Sequence, residues 1–311
     1  MESFETRPQL RSLHVGEIFD RATTMYVRHF VVFSLIVFTL LAPLAILRFI
    51  TLGANSDDYT QLMNEMLHPG AAAAAVSHSL LTISIGLALL TFVLAPIVNN
   101  AVASGVAALY DGRPLDYRAS FARVLNRLAP LLGTMLLCLL VLIAAYVGLV
   151  VTVVIIAMIA AATYALSGIV GIAFIVMAVL TGLGLLALFG LVALACALAL
   201  YATTIERQSP GQALGQAFGR IFNRRELPKA LLMVLAYIAL EIVALLVTAS
   251  AGALIALYLH SALLEIVFST VAGALLNAYV TILLAVYYFD VRTRAEGLDL
   301  EVDLDRLPGS V

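Results

Sequence analysis

Residues 128–205 read LAPLLGTMLLCLLVLIAAYVGLVVTVVIIAMIAAATYALSGIVGIAFIVMAVLTGLGLLALFGLVALACALALYATTI, which is 78 consecutive positions without Asp, Glu, Lys or Arg. One helix that crosses a bilayer needs about 20 apolar residues, so this stretch holds enough for roughly four crossings. A water-soluble core does not accommodate an uncharged run of that length. The chain reads as an integral membrane protein, and the rest of the sequence sets how many times it crosses and in which direction.

Composition agrees. The chain is 63% hydrophobic and 12% charged, with a mean hydropathy of +1.07, values suited to solvation mainly by lipid. Hydrocarbon offers no partners to backbone N–H and C=O groups, so spanning segments must be helices or a closed barrel. A barrel would show short alternating strands. Here the apolar runs are continuous and rich in Leu, Ala, Val and Ile, which predicts an all-α, polytopic helical bundle. The only two cysteines, Cys138 and Cys196, lie inside apolar runs and read as small hydrophobes, without a disulfide framework or a metal site. The first apolar run starts near Phe30 behind a polar segment and is too long for a signal-peptide core, so no cleavable leader is expected.

Six spans follow, at about 30–50, 79–109, 129–161, 168–202, 230–258 and 262–289. Arginine placement sets the parity within the long uncharged run. Basic residues fall in four clusters: Arg7, Arg11, Arg21 and Arg28; Arg113, Arg118, Arg123 and Arg127; Arg207, Arg220, Arg224, Arg225 and Lys229; Arg292, Arg294 and Arg306. Only Arg48 stands outside them. The intervening segments 51–78, 162–167 and 259–261 carry no Lys or Arg. By the positive-inside rule all four clusters share the cytoplasm, so an even number of spans separates neighbours and both termini are cytoplasmic. Turn residues between 163 and 168 allow two long helices in the uncharged run and give no place for four. Trp is absent, so interfacial anchoring falls to Tyr, and Pro96 predicts a kink in the second span.

A basic amphipathic segment precedes each helical hairpin. Val15, Ile18, Phe19, Ala22 and Tyr26 share one helical face in the first. Tyr117, Phe121, Val124, Leu125 and Leu128 do so in the second, and Leu214, Ala217, Phe218, Ile221 and Phe222 in the third, where Ser209 and Pro210 read as N-cap and first helical residue. Arg-Val-Leu-Asn-Arg (123–127) and Arg-Ile-Phe-Asn-Arg (220–224) nearly coincide, and aligning Arg28, Arg127 and Arg224 gives a period just under 100 residues. This predicts three units, each an elbow helix plus a hairpin. The elbows are expected in the interface, with apolar faces in the acyl boundary and Arg21, Arg28, Arg123, Arg127, Arg220 and Arg224 among anionic headgroups.

The quoted residues also carry a resemblance. Val-Gly-Glu-Ile-Phe-Asp-Arg-Ala (15–22) with Tyr-Val-Arg-His-Phe (26–30) resembles the start of bacterial glycerophosphoryl diester phosphodiesterase membrane-domain-like proteins. Leu-Tyr-Asp-Gly-Arg-Pro-Leu (109–115), Glu-Arg-Gln-Ser-Pro-Gly-Gln-Ala-Leu (206–214) and Tyr-Tyr-Phe-Asp-Val-Arg-Thr-Arg-Ala-Glu-Gly-Leu-Asp-Leu-Glu (287–301) are similar to later signatures of that family, the last being the most specific. Gln216 and Gly219 depart from its pattern. The resemblance implies a six-helix bacterial membrane protein. It does not imply the phosphodiesterase reaction, which in active members belongs to a separate soluble domain, and only about 20 residues follow the last span here.

Ionisable and amide side chains at membrane depth are costly and mark candidate sites. Glu241 lies about 12 residues, or roughly 18 Å, into the fifth span, and Asn277 lies at a matching depth in the sixth. An antiparallel pair would bring them together, with Asn99 and Asn100 joining if the second span packs alongside. Three readings stand: a protonated Glu241 bonded to Asn277 as interhelical glue, a polar pocket or proton path, or a lipid-facing accident. Arg48 and Glu265 both belong at the outer surface, where Arg48 either snorkels or pairs with Glu265. The acidic tail (Asp299, Glu301, Asp303 and Asp305) reads as a solvated end, and Arg292 or Arg294 could dock against it or against lipid phosphate.

No His-Glu-x-x-His segment, phosphate-binding glycine loop or nucleophile–base pair occurs, and the five histidines scatter over both faces. The expectation is a non-enzymatic protein without cofactor or metal. Its partners would be membrane lipids and a membrane protein, not nucleic acid, and its role membrane organisation or support of a partner enzyme or transporter. The alternative is a transporter or lipid-translocating protein built around Glu241, Asn277 and Asn99.

Overall fold

The computed structural model describes residues 13–53, 78–166, 168–259 and 262–296. Among these the chain is all-α, with nine helices: α1 (Val15–Arg28), α2 (Phe30–Gly53), α3 (His78–Tyr110), α4 (Tyr117–Leu125), α5 (Leu128–Leu166), α6 (Gly168–Ile205), α7 (Pro210–Ile221), α8 (Leu227–Leu259) and α9 (Ala262–Glu296). Six are long and apolar enough to cross a membrane, over Phe30–Leu47, Ile85–Tyr110, Leu128–Ala162, Ile172–Ile205, Leu227–Gly252 and Val267–Glu296. The chain is therefore a multi-pass membrane protein by the length and composition of its helices. The acidic tail lies outside the described residues.

Helix ends follow local chemistry. Asp116 caps α4, its carboxylate accepting from the backbone N–H groups of Arg118 and Ala119 at 3.2 and 3.3 Å. Pro210 opens α7 behind Ser209, where a missing N–H costs nothing. Gly112 turns the chain between α3 and α4 at φ 70°, a left-handed conformation that favours glycine. Two ends run past their expected limits. α5 continues to Leu166, since no helix breaker precedes Ser167 and Gly168. α9 continues through Asp290, Arg292 and Arg294 to Glu296, because each of those charges finds an opposite charge beside it.

The C-terminal helix α9 is the centre of the bundle and packs against α1, α2, α3, α6, α7 and α8. Buried side chains concentrate towards one end: Val98–Tyr110 of α3, Leu191–Thr204 of α6 and Ala274–Thr293 of α9. Close helix approach is set by small residues. A Cβ built on Gly190 would lie 2.5 Å from Val234 Cγ1, and one on Gly105 would lie 2.6 Å from Leu115 Cδ1. The other half is open, and Val147, Met158, Val176, Leu180, Leu245 and Leu246 are each more than half exposed.

The structure packs one face of each elbow against protein. Leu13 meets Asp290, Thr23 meets Tyr279 and Tyr26 meets the carbonyl of Leu275. Partner numbers fall as α1 numbers rise, so α1 runs antiparallel along α9 for about 20 Å. Ile18, Ala22 and Met25 of α1, Val124 of α4, and Ala213, Ala217 and Ile221 of α7 are all buried against protein. An apolar stripe suits acyl chains and a neighbouring helix equally, and the alanines in these stripes let helices approach closely enough to make the second choice.

Candidate functional site

Glu241 sits within the spanning part of α8, and Asn277 faces the same groove from α9. That groove encloses about 430 Å³ between the two helices, and Thr248 and Ser269 also line it. The antiparallel hairpin thus places the sequence-predicted pair at one depth. They do not hydrogen-bond to each other. Asn277 Oδ1 lies 3.4 Å from the Thr281 hydroxyl, and Tyr237, one turn before Glu241, is within reach of its carboxylate. Glu241 is exposed on the flank of α8 and Asn277 is half-buried. The groove therefore opens sideways, away from the bundle axis.

Asn99 and Asn100 separate. The Thr281 hydroxyl lies between Asn277 Oδ1 and Asn99 Oδ1, 3.2 Å from the latter, so Asn99 continues the polar line from the groove into α3. Asn100, fully buried, faces the other way. It accepts from the Thr204 hydroxyl of α6 and donates to the carbonyl of Pro96 at 2.8 Å. Next to Thr204 on α6, Thr203 shares a bond of 2.8 Å with Thr134 of α5. The side chains of Arg48 and Glu265 lie outside the described residues.

At the charged end the structure brings together residues that sequence reasoning did not combine. Asp290, with its side chain fully buried, pairs with Lys229 of α8, accepts from the backbone N–H of Leu13 at 2.6 Å and lies 3.5 Å from Arg294. The Leu13 carbonyl accepts from Lys229 Nζ at 2.6 Å and from Arg294 Nη2 at 2.7 Å, and Arg294 reaches Glu226 at 3.3 Å. A second cluster centres on Glu206 at the end of α6. It takes two bonds from Arg220 of α7, at 2.9 and 3.3 Å, with further contacts from the Tyr288 hydroxyl, Gln208 and Arg292. Arg220 also pairs with Glu296, as does Arg292.

Burial alone would raise the Glu206 carboxyl, but hydrogen bonds from Arg220 and Tyr288 and the charges of Arg220 and Arg292 outweigh it and hold it below its ordinary value. Burial would lower the Arg220 guanidinium, and Glu206 more than reverses that. The sequence signal for both clusters was present. Asp290 with Arg294, and Arg292 with Glu296, stand one helical turn apart.

The six arginines expected among headgroups divide accordingly. Arg28 and Arg224 are exposed. Arg220 gives its donors to Glu206 and Glu296 and is only 12% exposed, a placement that differs from the expected one because two carboxylates lie within its reach. Arg123 donates to the Ser104 carbonyl at 3.0 Å, Arg21 reaches the Tyr110 hydroxyl at 3.5 Å, and Arg127 is half-buried. Arg292 and Arg294, which the sequence offered to the acidic tail, are paired within the bundle.

No protein-family model matches this chain, no curated protein matches it, and no solved structure matches it.

Proposed function

We propose that the chain is a non-enzymatic protein of the bacterial inner membrane, with both termini in the cytoplasm, that organises the membrane around it or supports a partner enzyme or transporter embedded there. One observation carries this reading: three polar pairs within the spans close on themselves inside the bundle, Asn99 with Thr281, Asn100 with Thr204 and Thr134 with Thr203, while Glu241 faces sideways. A sideways polar group serves contact with a neighbour in the bilayer. A passage through the bundle would need polar groups around an axial cavity.

The same reading takes the chain as three related units. In its support, a short helix precedes two long ones three times along the chain, and near-identical pentapeptides close α4 and α7. Kinship with the glycerophosphoryl diester phosphodiesterase membrane-domain-like family is part of the proposal and rests on the 15–30, 109–115, 206–214 and 287–301 signatures. Exposed Arg118, Arg224 and Arg225 suit anionic headgroups.

The runner-up is a transporter or lipid-translocating protein. The polar line Glu241, Asn277, Thr281 and Asn99 favours it. Single cysteines at positions 241 and 277, treated from each side of the membrane with an impermeant thiol reagent, separate the two. Protection of both supports the accessory reading. Labelling of either from the aqueous phase overturns it in favour of the transporter.

A further inference from the structure

Among the described residues the groove between α8 and α9 has a wall on each side and no third helix over it: every lining residue comes from those two helices. Its floor is small, at Ala244 and Gly273, and a Cβ added at Gly273 would meet nothing within 4 Å. Its rim is aliphatic, with Leu245 65% exposed. Within it stand a carboxyl group that Tyr237 can serve at one oxygen only, and the Asn277 amide, whose oxygen shares the Thr281 hydroxyl. Glu241 follows Leu227 by 14 residues, or roughly 21 Å along α8, so it lies at hydrocarbon depth if Leu227 marks the interface. A carboxyl group exposed there has no water to solvate it, and a neighbour that brings a cation to the same depth removes the penalty.

We infer that this groove seats a transmembrane helix of a partner protein that carries a lysine or arginine near mid-span, its cation against Glu241 and its stem across Ala244 and Gly273. The inference rests on the accessory reading and deepens it. Depth favours a helix over a lipid, because lipid ammonium groups stay in the headgroup layer some 15 Å from the bilayer centre. Charge favours a foreign helix over a second copy, because docking by the same face would set one Glu241 against another.

The probe is a set of single-span Leu/Ala helices identical except for Lys, Leu or Glu at the central position, co-expressed with the full chain, with association read by a split reporter in the membrane. The wild type should associate with the Lys helix about tenfold more strongly than with the Leu helix. E241Q and E241L should erase that preference, and E241K should transfer it to the Glu helix. A photocrosslinker at position 245 should join the chain to the Lys helix.

Equal association of Lys and Leu helices overturns the proposal. So does a Lys preference that survives in E241L, or crosslinking from position 245 to a second copy or a photoactivatable lipid that the Lys helix does not displace. E241Q is nearly isosteric and keeps the test valid if E241K fails to fold. Aqueous labelling at position 241 would sink the accessory reading itself, whereas protection there with indifferent helices would sink only the seat.

Discussion

The two halves of α9 differ in kind. From Ala278 to Thr293 the helix is enclosed: Ile282, Leu283, Ala285, Val286 and Tyr287 are fully buried, and Asp290 gathers three donors from α8, α9 and the segment before α1. From Val267 to Gly273 it is open: Val267, Phe268 and Val271 are exposed and Gly273 borders a groove. Lipid tails are as apolar as leucine, so burying leucine against leucine does little to hold membrane helices together. What fixes this bundle is close backbone approach at small residues and charge pairing where the helices leave the hydrocarbon. The far half has little of either and is free to meet lipid or another chain.

The contrast is broken most directly at Asp290. D290A removes the acceptor of Lys229, Arg294 and the Leu13 N–H while leaving their charges half-buried. Loss of one partner from a buried ion pair costs about 3–5 kcal/mol, so D290A should lower the unfolding midpoint in detergent more than any single truncation in the open half. It should also free the segment before α1, seen as faster proteolytic clipping ahead of Val15. An intact N-terminal segment and an unchanged midpoint would mean that the charged end does not hold the fold.

The sequence made the class and the number of crossings legible because both depend on one-dimensional quantities, apolar length and charge spacing. The 78-residue run and the four arginine clusters give six helices, and among the described residues six are long and apolar enough to cross a membrane. The mid-span pair Glu241 and Asn277 was legible for a related reason: in an antiparallel hairpin, equal distance from the tip means equal depth. The orientation of α1 was not legible, because its stripe fits a lipid surface and the side of α9 equally well, and only the contacts of Leu13, Thr23 and Tyr26 decide. The partition of Asn99 and Asn100 was hidden too. Adjacent helical positions differ by about 100° in direction, and which neighbour lies in each direction is a tertiary fact.

Acid should act on the closed half next. Glu206 is held below its ordinary value, so its contribution to stability is fully present above the ordinary carboxylate pKa and is lost as pH falls through the lower folded value. The wild type should therefore lose thermal stability below about pH 4.5, where E206Q, already lacking the charge, stays flatter. At neutral pH E206Q should cost about 1.5–3 kcal/mol, the range for hydrogen bonds to a charged group. A neutral-pH midpoint equal to that of the wild type, with parallel acid curves, would remove the Arg220–Glu206 pair from the account of the closed half.

The smallest effect belongs to the open half and sharpens the comparison from the other side. Leu246 is 63% exposed on α8, one turn beyond Ile242 and outside the lining of the groove. In a packed core, Leu→Ala removes contacts and leaves a cavity, costing about 2–5 kcal/mol. At Leu246 the missing methyl groups are replaced by acyl chain or detergent, no cavity forms, and alanine is the better helix former. L246A should therefore leave the unfolding midpoint of the isolated chain within about 0.5 kcal/mol of the wild type. A core-sized loss would mean that α8 is covered there in the isolated protein, and the open half would then have to be redrawn as an interface between copies of this chain.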